Sequence, residues 1–147
     1  MTACPDTPIV AAAAFARTMP AAVVLTAIAD GLRAGGWPQP ELCAIEPPDG
    51  GRAALAALLD ASDFDARMRR ARAVVVAERC VSERTLPGCP TFEIATRARQ
   101  AGVPAYAVLG ENCLDSFDAR ILDLQVILEA RTTRGLIAAG RKLARLI

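Results

Sequence analysis

Short apolar runs alternate with longer amphipathic segments along the chain. The run Ala-Val-Val-Val-Ala at residues 73–77 is apolar at every position, which indicates a strand buried on both faces, as in a parallel sheet covered by helices. Comparable runs predict four more strands, at residues 8–14, 41–45, 104–109 and 124–128. The segments between them predict helices, at residues 20–33, 52–59, 64–70, 91–100, 117–121 and 133–146.

This alternation of strands and helices predicts the fold class. Repeated β-α units give an α/β protein, here a three-layer α/β/α sandwich of the Rossmann- or flavodoxin-like kind with a mainly parallel five-stranded sheet. The 147 residues fit a single domain. In such folds a ligand binds beyond the carboxyl ends of the strands. We therefore expect a crevice lined by the loops at residues 13–18, 47–54 and 77–89.

Composition and charge exclude several classes of function. The net charge of +1 and the aromatic content of 4% argue against a nucleic-acid partner. The chain has no histidine, which removes Ser-His-Asp and Cys-His catalysis and the usual ligands of catalytic zinc. No apolar run reaches the length of a membrane helix, and no basic segment precedes the run at 9–15 to make it a signal peptide. We expect a cytoplasmic protein without a membrane partner.

The five cysteines predict free thiols. They are an odd number and no two are spaced as CxxC, which argues against a disulfide framework and against a metal cluster. They are Cys4, Cys43, Cys80, Cys89 and Cys113. A thiol made reactive by a neighbouring cation is the alternative for Cys80 and Cys89, because Arg79 and Arg84 are close to them in sequence.

Two segments could carry binding chemistry. Asp49, Gly50 and Gly51 lie between a predicted strand and a predicted helix, where backbone amides and the helix dipole favour an anion; the same residues are equally typical of a structural turn. The polar stretch 78–88 holds four side chains able to bind a hydroxylated ligand or hydrated Mg²⁺, unless it is only a solvated loop. These side chains are Glu78, Ser82, Glu83 and Thr85.

Several segments occur in an order that resembles the bacterial type I glycerate kinases. Residues 13–17 (Ala-Ala-Phe-Ala-Arg) correspond to the family's Asp-Ser-Phe-Lys-Gly, and residues 48–54 (Pro-Asp-Gly-Gly-Arg-Ala-Ala) to its Ala-Asp-Gly-Gly-Glu-Gly-Thr. Four more segments are similar to family segments at matching places: residues 30–32, 64–67, 77–89 and 101–104. The family's inserted second domain has no counterpart between Ala61 and Phe64. The resemblance therefore implies that residues 1–61 and 64–147 correspond to the two parts of the family's first domain.

The differences from the family fall mainly on charged motif positions. Alanines replace the Asp, Ser and Lys of the first motif, and Arg52 replaces the Glu of the second. In the third motif the Arg, Asp and Lys of the family have become Cys80, Ser82 and Cys89. The retained residues are mostly scaffold: Phe15, Asp49, Gly50, Gly51, Glu78, Thr85, Leu86 and Gly88. Because phosphoryl transfer needs cations and metal ligands around the phosphates, this pattern implies a non-catalytic or strongly impaired relative.

Three functions follow as hypotheses. The first is a glycerate kinase-like protein that binds a small anionic ligand without turnover. The second is an active ATP-dependent kinase of glycerate or another small hydroxy acid that uses ATP and Mg²⁺, with a partner chain supplying the missing domain. The third is an interaction module that forms a homodimer through surface that the family covers. No catalytic or metal-binding residue is assigned; the candidate ligand-binding residues are Arg17, Asp49, Gly50, Gly51, Arg52, Glu78, Ser82 and Thr85.

Overall fold

A single parallel sheet lies between two layers of helices. The computed structural model describes residues 7–46 and 51–147, and the elements below are those of this part of the chain. The strands are β1 (Ile9–Ala12), β2 (Glu41–Ala44), β3 (Val74–Ser82), β4 (Ala105–Cys113) and β5 (Ile127–Glu129). The helices are α1 (Ala21–Ala34), α2 (Gly51–Ala61), α3 (Phe64–Arg69), α4 (Pro90–Ala101), α5 (Ser116–Leu122) and α6 (Thr133–Leu146). The predicted three-layer α/β class is confirmed.

The strand order places a topological switch point in the middle of the sheet. The order is β2-β1-β3-β4-β5, and every neighbouring pair is parallel. From β1 the chain runs to β2 at one edge of the sheet, and it then crosses back over β1 to reach β3. After β3 it continues to β4 and β5 toward the other edge. The connections on the two sides of the β1–β3 pair therefore run in opposite directions. Loops that follow β1 and β3 therefore diverge and leave room between them for a ligand.

Two apolar cores fill the space between the layers. Helices α1 and α6 cover one face of the sheet, and α2, α3, α4 and α5 cover the other. All four residues of β1 and the first four of β3 are buried. Burial on both faces explains why these strands read as continuous apolar runs rather than as alternating ones.

Helices α1 and α6 cross in backbone contact. A Cβ on Gly31 would lie 2.8 Å from the Gly140 Cα and closer still to the Ile137 carbonyl oxygen. A Cβ on Gly140 would lie 3.0 Å from the Gly31 Cα and closer to the Ile28 carbonyl oxygen. The two glycines thus set the distance between the helices, because any side chain at either position would meet backbone atoms.

The helices begin and end within two residues of the predicted positions, whereas the strands differ more. β3 continues to Ser82 and β4 to Cys113, through stretches predicted to be loops. Residues 80–82 of β3 pair with residues 111–113 of β4, so that a ladder between distant segments satisfies backbone groups that local sequence left unassigned.

The first and last strands also differ from their predictions. β1 ends at Ala12 instead of residue 14, because the chain folds into a tight loop after Ala13. β5 spans 127–129 rather than 124–128. Asp123 takes a left-handed conformation, with φ of 54°. Before the regular ladder begins, the Gln125 N–H donates to the Ala105 carbonyl and the Val126 carbonyl accepts from the Ala107 N–H.

No helix in the described residues is both long enough and apolar enough to cross a membrane.

Candidate functional site

A cleft of about 300 Å³ opens at the carboxyl ends of the central strands. Its residues come from the segment after β1, from β3 and β4, and from the segment after β5. They are Phe15, Ala16, Thr18, Met19, Arg79, Gly110, Glu111 and Arg131. The cleft thus lies at the switch point, where open parallel sheets bind their ligands.

The wall nearest β1 is a tight turn. The Phe15 N–H donates to the Met19 carbonyl at 2.9 Å, and the Met19 N–H donates to the Ala16 carbonyl at 3.0 Å. Phe15 is buried in the core beneath α1 and α6, which anchors the turn. Arg17 is exposed between Ala16 and Thr18, two of the residues that line the cleft.

Two arginines and one glutamate are among the residues that line the cleft. Arg131 is held in place because its Nε donates a 2.9 Å hydrogen bond to the Gly110 carbonyl. A residue with a side chain does not fit in place of Gly110, since a Cβ there would lie 2.5 Å from the Arg79 carbonyl oxygen. Arg79 lies on β3 and Glu111 on β4. Arginine forks suit carboxylates and phosphates, so the cleft can hold a small anion.

A second hollow adjoins the cleft and shares Arg79 with it. This hollow has a volume of about 260 Å³ and is lined by Ala13, Ala14, Glu78, Arg79 and Cys80. Residues from two of the three segments expected to line the crevice, 13–18 and 77–89, therefore meet here, although residues 78–80 belong to β3 rather than to a loop. The third expected loop is described only from Gly51 onward.

Glu78 caps helix α4. Its Oε1 accepts hydrogen bonds from the Thr91 N–H at 3.0 Å and from the Thr91 hydroxyl at 2.7 Å. Thr91 is fully buried in the first turn of the helix. Burial raises the pKa of the Glu78 carboxyl above its ordinary value of 4.5, although the hydrogen bonds from Thr91 oppose this shift. The Glu78 carboxylate thus stabilises the first turn of α4.

Cys89 precedes α4 as an inert thiol. Its Sγ accepts a hydrogen bond from the Phe92 N–H at 3.4 Å. Burial, followed by the charge of Glu78, raises the pKa of the Cys89 thiol to about 12. The raised pKa disfavours the thiolate, and this argues against the activation of Cys89 by a neighbouring cation that the sequence left open.

Ser82 and Thr85 bond to each other. The Ser82 N–H donates to the Thr85 hydroxyl oxygen at 3.0 Å, and the Thr85 N–H donates to the Ser82 carbonyl at 3.1 Å. The two side-chain hydroxyls are 3.3 Å apart. Both residues therefore close a turn at the end of β3, and neither lines the cleft.

Arg52, from the second predicted motif, lies against helix α4. Arg52 lies 5.8 Å from the centroid of the Phe92 ring, and its Nε is 3.8 Å from a Glu93 carboxylate oxygen. Gly51 has a φ of 69°, a left-handed conformation that favours glycine. Asp49 and Gly50 lie outside the described residues. The structure thus places Arg52 on the α2–α4 side and Arg17 beside the cleft.

None of the eight residues that line the cleft is in the predicted ligand-binding set, and the charged ones among them are Arg79, Glu111 and Arg131. Sequence offers only a weak signal for them, because each lies near the carboxyl end of a strand but in a stretch rich in other charges. The ends of β3 and β4 also bring together Cys80, Glu111 and Cys113, whose metal-binding atoms all lie within 4.8 Å of one another. The neighbouring Glu111 carboxylate raises the pKa of the Cys113 thiol.

Comparison with protein-family models gives no match, and comparison with curated proteins gives none either.

Proposed function

We propose that this chain is a non-catalytic relative of the glycerate kinases that binds a small hydroxylated anion in the cleft at the switch point. The observation that carries the proposal is the pair of arginines, Arg79 and Arg131, that line one cleft of about 300 Å³. That volume is at the small end of the range for ligand pockets, which favours a small acid over a nucleotide.

The other polar groups of the cleft favour a hydroxy acid. Glu111 and Thr18 line the same space; Glu111 can accept a hydrogen bond from a ligand hydroxyl, and Thr18 can donate or accept one. A ligand with one anionic end and one or two hydroxyls would therefore meet complementary groups at both ends. A plain inorganic anion would use only the arginines.

The state of the motif residues supports binding without phosphoryl transfer. In the hollow beside the cleft, Ala13 and Ala14 stand where the resembling family has Asp and Ser, and neither offers a polar side chain. Glu78 already accepts two hydrogen bonds from Thr91. Chemistry that depends on metal ligands and cations around the phosphates lacks free groups at these positions.

A thermal-shift titration tests this proposal. Glycerate is expected to raise the melting temperature, since a ligand at 100 times its Kd adds about 2.7 kcal/mol of apparent stability. Arg131→Gln and Arg79→Gln should each weaken glycerate binding by about 10-fold or more, because each removes a charge-assisted hydrogen bond donor. Arg134→Gln, an exposed arginine of α6 outside the cleft, is the matched control and should bind as the wild type does.

Two results would contradict the proposal. A folded protein that shows no shift with glycerate, glycerol phosphate or inorganic phosphate has no anion site in the cleft. A shift with ATP–Mg²⁺ that is accompanied by ATP-dependent phosphorylation of glycerate would establish the active kinase instead.

Self-association is a second candidate function, favoured by the surface of α5. Phe117 is 69% exposed and Ile121 44% exposed, and their i, i+4 spacing places them on one side of the helix. We expect the sedimentation coefficient to rise with concentration, and Phe117→Asp to abolish the rise. Val23→Asp, which adds the same charge at an exposed apolar position of α1, is the control. A wild-type protein that stays monomeric at all concentrations would refute this candidate.

A further inference from the structure

The far ends of β3 and β4 form a two-stranded extension beyond the rest of the sheet. β1 pairs with β3 only over residues 74–77, and β5 pairs with β4 only over residues 107–109. Within residues 7–46 and 51–147, residues 80–82 and 111–113 pair with each other and with no other strand. One side of this extension is packed, since Val81 is fully buried in the core beneath α2–α5.

The opposite side carries a cluster of soft and anionic groups. Cys80 is paired with Glu111 and Ser82 with Cys113, and side chains alternate along a strand. Cys80, Ser82, Glu111 and Cys113 therefore share the side opposite Val81. The two thiol sulfurs and a Glu111 carboxylate oxygen all lie within 4.8 Å of one another.

From this geometry we propose that Cys80, Glu111 and Cys113 form a binding site for a thiophilic divalent metal ion, with Zn²⁺ as the best fit. Two sulfurs bound to a tetrahedral zinc at about 2.3 Å lie about 3.8 Å apart, which the spacing of the cluster accommodates. Two thiolates and a carboxylate favour zinc over Mg²⁺ or Ca²⁺, which prefer ligand sets made only of oxygen.

A disulfide is a poorer use of the same two cysteines. Cys80 lies opposite Glu111, and Cys113 lies opposite Ser82, so the cysteines are diagonal neighbours. Diagonal positions on adjacent strands are about 7–8 Å apart, beyond the usual Cα separation of about 4.4–6.8 Å for a disulfide. Both thiols are free in the structure. A metal ion can span the longer distance, because two metal–sulfur bonds then join the sulfurs in place of one S–S bond.

Three protein ligands leave the fourth position of a tetrahedral ion open, as in zinc sites that accept water or a substrate group. Glu111 also lines the anion cleft, so the ion would lie at the rim of that cleft. The metal proposal does not rest on anion binding, since the two sites use different side chains apart from Glu111.

Titration of the reduced, untagged full chain with Co²⁺ and then Zn²⁺ tests the site. The chain contains no histidine, so thiolate-to-cobalt charge-transfer bands report the cysteines without interference from imidazole ligands. We expect one equivalent of Co²⁺ to give bands for two thiolates, and Zn²⁺ to displace it. Cys80→Ser or Cys113→Ser should halve these bands and lower the zinc affinity by about 100-fold or more. Glu111→Gln should keep the bands and lower the affinity by about 10-fold.

Cys43→Ala is the matched control, since Cys43 lies on β2, two strands away from β3, and this variant should bind zinc as the wild type does. The proposal is overturned if the reduced protein binds no Zn²⁺ at micromolar concentration. It is equally overturned if Cys113→Ser leaves binding unchanged or if Cys43→Ala abolishes it in a folded protein. Arg131→Gln should leave zinc binding intact, which separates this result from a failure of the anion site.

Discussion

Replacing Gly140 with alanine is expected to lower the free energy of unfolding by about 3 kcal/mol or more, the upper end of the cost of overpacking. The added methyl group would lie 3.0 Å from the Gly31 Cα and closer to the Ile28 carbonyl oxygen. These are backbone atoms of a packed helix, so α1 and α6 would have to separate along their whole contact. Gly31→Ala should have a similar effect from the opposite side. Chemical denaturation followed by circular dichroism measures both.

Gly135→Ala is the control for this prediction. Gly135 also lies in α6, but the nearest atoms to its added Cβ are side-chain atoms, the Thr132 Oγ1 at 3.2 Å and the Ala130 Cβ at 3.4 Å. Alanine is favoured over glycine in a helix by about 1 kcal/mol. We expect the stability to change by less than about 1 kcal/mol. An equal loss for all three variants would show that general crowding, not the crossing of α1 and α6, is responsible, since helix propensity favours alanine at all three positions.

Glu78→Ala is expected to destabilise the protein by about 2 kcal/mol, since it removes a helix cap and leaves a buried N–H and hydroxyl of Thr91 without their partner. Glu83→Ala, an exposed carboxylate of the same segment, should change stability by less than about 0.5 kcal/mol. If the two variants unfold at the same denaturant concentration, Glu78 does not cap α4.

Glu78→Gln gives the pH dependence of the same contact. The folded-state pKa of Glu78 is raised above 4.5, mainly by burial, so the folded protein holds this proton more tightly than the unfolded chain does. Its contribution to stability is therefore complete below pH 4.5 and is lost as the pH rises through the folded-state value. Glutamine keeps an acceptor oxygen and cannot ionise. The stability of Glu78→Gln relative to the wild type should thus increase with pH above 4.5, and a constant difference would contradict the raised pKa.

These predictions separate the residues that build the fold from those available to a ligand. Glu78, Ser82 and Thr85 were all candidates for binding, yet each has hydrogen-bond partners within the protein. Their polar character in the sequence reflects capping and turn formation near α4. Arg79 and Arg131, by contrast, line the cleft, and within residues 7–46 and 51–147 the Nε of Arg131 is their one side-chain group with a hydrogen-bond partner in the protein. Ligand binding is therefore expected to depend on the arginines, and stability on Glu78.

The hydrophobic pattern by itself determined the fold class, the succession of elements and nearly all helix boundaries. A strand such as residues 74–77 must be apolar on both sides to lie between two helical layers, and a helix must repeat its apolar face every three to four residues. Both requirements are local in sequence. The same pattern predicted a crevice at the carboxyl ends of the strands, lined by residues 13–18, 47–54 and 77–89. Residues 13, 14 and 78–80 do line one hollow, but residues 78–80 belong to β3 and not to a loop.

Only the tertiary structure decided how far β3 and β4 extend, which charged residues line the cleft, and which cysteines meet. Cys80 and Cys113 are 33 positions apart by number, and nothing local to either of them indicates the other. They become neighbours because the register of β3 and β4 places Cys80 opposite Glu111 and Ser82 opposite Cys113. Strand register arises from packing over the entire sheet. Residues brought together by pairing between distant strands are therefore the ones that the sequence alone could not assign.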